Sequence, residues 1–187
     1  MPLDISSWAA IEARVKFTGK LDPAVLADGL GLEMVSLLTE VEANQPTAAG
    51  NALRQKFGMV PYSSPLYWWE VVIDGAPTTM YIGKTVDLKV QKRFESHGKL
   101  MRLLARYVNN PNANVFFRLC ARLDLRQSCH DCWRPLEWLP TEQAAEVVTD
   151  VESMLIFQHQ PDLNVHYRAQ PRTPPWRPLV ITEFLLG

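Results

Sequence analysis

Cysteine is scarce in this sequence: three in 187 residues, an odd number. The N-terminus "MPLDISSWAAIEARVKFTG" has no basic stretch ahead of an apolar core, so it does not read as a signal peptide. A disulfide framework is not expected, and reduced thiols in a cytoplasm are. Long hydrophobic runs are missing too. No 18 apolar residues follow one another, so no membrane-spanning helix and no membrane partner are expected. No internal repeat is visible. A strong overall charge is also lacking, since the net value is −1.

What is present is an ordinary globular balance, 47% hydrophobic and 21% charged, which suits one domain with an extension. The small net charge hides an asymmetry. Residues 84–134 carry 11 Lys and Arg against 4 Asp and Glu, and every other part of the chain is net acidic. Such a basic block is either a solvated surface or the footprint of a polyanion such as nucleic acid.

Residues 1–62 read as a helical N-terminal extension. "DISSWAAIEARVKFTG" has a cap candidate at Ser6 or Ser7 and stops at Gly19. Asp22-Pro23 opens a second helix, and "LEMVSLLTEVEANQP" is amphipathic. Pro61, Ser63, Ser64 and Pro65 mark a boundary. "LYWWEVVI" then reads as a strand, Asp74-Gly75 as a hairpin turn and "TMYIG" as the returning strand. A helix is expected from Leu88 to Tyr107. "VFFRLCARL" is a third strand, whose alternation places Arg118 and Arg122 on one face. After a loop holding Cys129-His130-Asp131-Cys132, a helix follows with Thr141 as cap, and Pro161 ends it. The tail from 167 to 187 is proline-rich, and "LVITEFLLG" closes it as a strand or short helix. The expected fold is α+β: a small three-stranded antiparallel sheet, in the order β-hairpin, helix, strand, helix, flanked by helices.

Glu152 lies three and four positions before Leu155 and Ile156, so it shares the apolar face of its helix. A carboxylate there needs a cation or a metal. Together with Tyr81-Ile82-Gly83, Lys84, Arg93 and His97, and the run Glu152, Leu155, Ile156, Pro161, Asn164, this resembles the GIY-YIG nuclease domain over about residues 66–166. The resemblance departs from the family at the first motif. Trp69 or Glu70 falls where a tyrosine belongs, and Tyr67 lies too early unless a bulge or register shift intervenes. Arg93 follows Tyr81 by twelve residues, which implies a longer turn before its helix.

The resemblance implies a metal-dependent endonuclease acting on DNA. Glu152 would hold one magnesium or manganese ion, because magnesium accepts one or two carboxylates and keeps several waters. Arg93 would clamp phosphate oxygens. Tyr81, with a cation nearby, would help activate water, and His97 would assist proton transfer. Glu70 is the candidate to replace the missing tyrosine. Lys84, Lys92, Arg118, Arg122 and Asn164 are candidate substrate contacts.

Two alternatives stand beside this. One is a non-cleaving nucleic-acid-binding module on the same fold. The other is an interaction protein held by zinc at Cys129 and Cys132. The second is not expected, since structural zinc wants four ligands and Cys120 reads as core. Trp176 between Arg172 and Arg177 offers a stacking group, although a proline-rich tail packed on the domain is the better account of it.

Overall fold

The computed structural model describes residues 4–8, 10–18, 20, 65–85, 99, 103, 106, 107, 110–127, 132–172 and 179–185. Six strands are described: β1 (Ile11–Phe17), β2 (Leu66–Ile73), β3 (Ala76–Lys84), β4 (Ala113–Gln127), β5 (Arg134–Pro135) and β6 (Leu179–Leu185). A 3-10 turn at Leu136–Trp138 leads to the helix α1 (Thr141–His159). The strands form one sheet in the order β3-β2-β4-β1-β6, with β5 on β4. The β1–β6 pair is parallel and the others are antiparallel.

This corrects the expected architecture. The sheet is not a small three-stranded one flanked by helices; it is mixed and has six strands. Residues 11–17 form a strand where a helix was expected. Ile11, Ala13, Val15 and Phe17 are buried, while Glu12, Arg14 and Lys16 between them are not. That alternation has period two, which suits a strand and not a helix. The tail segment 179–185 is likewise a strand, laid parallel against β1. The sheet therefore crosses both boundaries expected near residues 62 and 166. The other helices expected before residue 61 lie outside the described residues. Of the helix expected over 88–107, residues 99, 103, 106 and 107 are described and are helical.

The hairpin forms at Asp74-Gly75. Both have positive φ, 50° and 81°, the geometry of a turn whose twist matches its strands. Helix α1 begins at Thr141, with Pro140 before it and no side-chain cap. It ends at Gln160 in the left-handed conformation, and Pro161 prevents continuation.

Apolar clusters cover both sides of the sheet. On one side Val147, Val148, Val151 and Leu155 of α1 pack on Phe17, Trp68, Ile82 and Leu123. Full burial of each such aliphatic or aromatic side chain contributes about 1.5–3 kcal/mol. On the other side Tyr67, Trp69, Met80, Tyr81, Phe117 and Leu119 pack with Leu103.

Two bulges interrupt the alternation. In β3, Trp69 pairs with Tyr81 but Glu70 pairs with Thr79, so Met80 is the extra residue. In β4, Phe17 pairs with Cys120 but Lys16 pairs with Arg122, so Ala121 is extra. One extra residue reverses which side every later side chain takes.

Candidate functional site

Tyr81 belongs to β3, an edge strand, on the side away from α1. The bulge at Met80 sets it there: Met80 and Tyr81 both point into the same cluster. Tyr67 is directly opposite Gly83, and its ring lies 5.9 Å from that of Tyr81. Gly83 makes room for this pair. A Cβ on it would meet Cζ of Tyr67 at 2.5 Å and Cε1 of Tyr81 at 2.7 Å. The Lys99 ammonium sits over the Tyr81 ring, 4.8 Å from its centroid. A cation there is attracted to the ring face and raises the local positive potential beside the hydroxyl-bearing ring.

The free edge of β3 is closed by the segment after α1. Leu163 donates its N–H to the Met80 carbonyl at 2.9 Å. The Asn164 side chain accepts from the Ile82 N–H at 3.0 Å and donates to the Ile82 carbonyl at 2.8 Å. Asn164 is buried, so its amide takes the place of a neighbouring strand. Each hydrogen bond of this kind is worth about 1 kcal/mol net, and more is lost if one partner is left alone. This amide is spent on the backbone; it braces the strand carrying Tyr81 and is not aimed at a ligand.

Glu152 is buried on α1, its side chain 12% exposed. Lys84, at the end of β3, places its ammonium 3.9 Å from the Glu152 carboxylate and donates to Thr149 Oγ1 at 2.5 Å. Lys84 also borders a cavity of about 420 Å³ shared with Leu136, Leu139, Val148 and Thr149. Tyr81 and Lys84 are three residues apart, about 10 Å along the strand. Lys84 takes the α1 side with Ile82, so the tyrosine pair and the Lys84–Glu152 pair lie on opposite sides of the sheet at the same end of its edge strand.

The remaining candidates fall elsewhere. Glu70 points to the α1 side of the sheet, opposite to Trp69 and Val71, which belong to the Tyr81 cluster. Its carboxylate lies 3.0 Å from Lys20 and 3.4 Å from Arg118. The sheet separates it from Tyr81, so it does not take the place of a first-motif tyrosine. Tyr67 is the residue that sequence reasoning set aside. The signal that could have found it is Gly83: a glycine in an edge strand often marks close approach of another group.

Arg118 is also buried on the α1 side, donating to Glu70 and, at 3.0 Å, to the Thr18 carbonyl. It ties β4 to the end of β1 and has no outward role. Arg122 lies past the Ala121 bulge and so faces the opposite side from Arg118. The two were expected on one face, and the extra residue divides them. Arg93, His97 and Lys92 lie outside the described residues, as do Cys129, His130, Asp131, Trp176 and Arg177. Arg172 hydrogen-bonds to Glu146 and reaches Asp150 at 3.5 Å, which tacks the tail onto α1. Cys120 is core, and burial pushes its thiol up to about 12.

No family model, curated protein or solved structure matches this chain.

The donor set bears on a metal. Among the described residues there is no group of three or more His, Cys, Asp or Glu. Glu152 is a single carboxylate at the rim of the core, with Lys84 across from it. A hard cation that keeps most of its waters fits one carboxylate; a fully ligated zinc does not.

Proposed function

We propose that this protein hydrolyses DNA phosphodiester bonds as a metal-dependent endonuclease of the GIY-YIG kind. One observation carries the reading: Tyr67 lies against Tyr81 over Gly83, and the next residue of that edge strand, Lys84, meets Glu152 on the other side of the same strand end. The Tyr67 position also supports cleavage over the non-cleaving alternative, which rested on an absent first tyrosine.

In hydrolysis a water oxygen bonds to phosphorus as the bond to the leaving oxygen breaks. The water gives up a proton, and the leaving oxygen takes one. Tyr81 is the group at the strand edge to receive the proton from water, with the Lys99 ammonium 4.8 Å from its ring centroid. Lys84 is a point charge able to follow a phosphate oxygen, released from Thr149 when the substrate enters. Arg93 is the planar donor assigned to the same phosphate. Glu152 would hold the magnesium or manganese ion, which supplies charge neutralisation at the phosphate and leaving oxygen. Asn164 keeps β3 in place while these groups act.

The test is cleavage of supercoiled plasmid in magnesium or manganese. Nicking or linearisation is expected from the intact chain. Tyr81→Phe, Arg93→Ala and Glu152→Ala are each expected to lower the rate by about 10²-fold or more, the scale of a lost acid–base or electrostatic group. DNA binding without any cleavage, in either metal, would leave the non-cleaving module as the correct reading.

A further inference from the structure

Beyond the tyrosine site, the same side of the sheet carries a second, charged region. Past the Ala121 bulge, Leu123 and Leu125 face α1, so Arg122, Asp124 and Arg126 face the side of Tyr81. Their partners on β1 are Lys16, Arg14 and Glu12 in turn. Four cations and two carboxylates thus stand in rows about 7 Å apart, the spacing of alternate residues on a strand.

The carboxylates are placed to hold the cations. Asp124 is 1% exposed and accepts from Arg14 at 2.8 Å and from Arg122 at 2.7 Å. It cannot reach a ligand, but it fixes two guanidinium groups, each with five N–H donors, most of them still available. Arg122 is itself 58% exposed, and Lys16 is exposed. Glu12 holds Arg126 at 2.6 Å. Trp133 lies under two of these cations, Arg14 at 4.6 Å and Arg126 at 4.7 Å. Guanidinium groups so arranged have lost rotamer freedom before any ligand arrives, which lowers the cost of binding.

We infer that this β1–β4 face grips the phosphate backbone of a DNA duplex and feeds it along the sheet to the Tyr67–Tyr81 edge. The inference rests on the proposed phosphodiester reading for its choice of polyanion. A duplex is favoured over single strands because the Trp133 ring, between the cations of this face, is taken up by two guanidinium groups instead of being left for a base to stack on. Arg14 and Lys16 come from a segment outside the basic block and outside the motif-bearing range. The face exists only once β1 joins β4.

The experiment measures binding of a labelled 30-base-pair duplex by the full chain in EDTA, across a salt series. Lys16→Gln with Arg122→Gln removes two exposed cations. It is expected to weaken binding and to flatten the slope of log affinity against log salt by about 1 per residue. Glu142→Gln, at the exposed start of α1, is expected to leave that slope unchanged. A urea midpoint near that of the parent chain shows that the fold survives, and Lys16→Gln alone reads the effect if the pair does not fold. An unchanged slope in a chain that cleaves plasmid overturns the face and spares the catalytic reading. A flattened slope in a chain that never cleaves does the reverse. Equal competition by polyglutamate, or no duplex binding at all, overturns the duplex as the occupant.

Discussion

At the scale of the residue, Gly83 and Asn164 set the site without touching substrate. Gly83 leaves room for two aromatic rings, and its backbone needs no unusual angle, so its role is space alone. Gly83→Ala forces Tyr67 and Tyr81 apart. Overpacking of this kind costs about 1–3 kcal/mol. A lowered urea midpoint with altered near-ultraviolet dichroism is expected, and unchanged values in both would show that the rings are not pressed on the glycine. Glu70 makes the complementary point. Its carboxylate has the right chemistry for a catalytic role but the wrong side of the sheet. Lys20 and Arg118 hold it there, and leaving either charge alone in the core would be costly.

At the scale of the element, β1 is the segment whose assignment changes most. As a strand it buries Ile11, Ala13, Val15 and Phe17 and pairs on both edges, with β4 and with β6. Phe17 also meets Trp68 edge to face, with ring centroids 5.4 Å apart. Phe17→Ala is therefore expected to cost about 3–5 kcal/mol, measured by urea denaturation. A loss below about 1 kcal/mol, the size of a surface change, would contradict a central position for β1. β4 is the other element on which much depends. Its first half pairs with β2 and its second half with β1, so it joins the tyrosine edge to the cationic face.

At the scale of the whole molecule, the core sets a limit on pH. Cys120 sits in the cluster beneath α1, and burial raises its thiol from an ordinary 9.0 to about 12. Between those values the unfolded chain releases a proton that the folded chain keeps. Stability is then fully present below about pH 9 and is lost as pH rises toward 12. A Cys120→Ala chain is expected to lose less stability than the parent between pH 9 and pH 11 in denaturant titrations. Equal losses would mean that the thiol is not held neutral by the core. At pH 8, alkylation should reach the exposed Cys132 well before Cys120.

The sequence by itself determined the local pieces. Asp74-Gly75 dictates a tight turn, because those residues tolerate positive φ. The strand before it and the strand after it follow from their aromatic and β-branched content. The helix that carries Glu152 follows from its apolar spacing and from Pro161. Even β1 was legible in the alternation of "IEARVKF", against the competing cap and stop residues around it. Tertiary structure decided which side of the sheet each chemical group takes. Side chains alternate with period two, so the extra residues Met80 and Ala121 place Tyr81 beside Tyr67 and part Arg122 from Arg118. A bulge arises from the pairing of two strands, and neither strand announces it alone. The same holds for the parallel pairing of residues 11–17 with 179–185, which only the folded chain brings together.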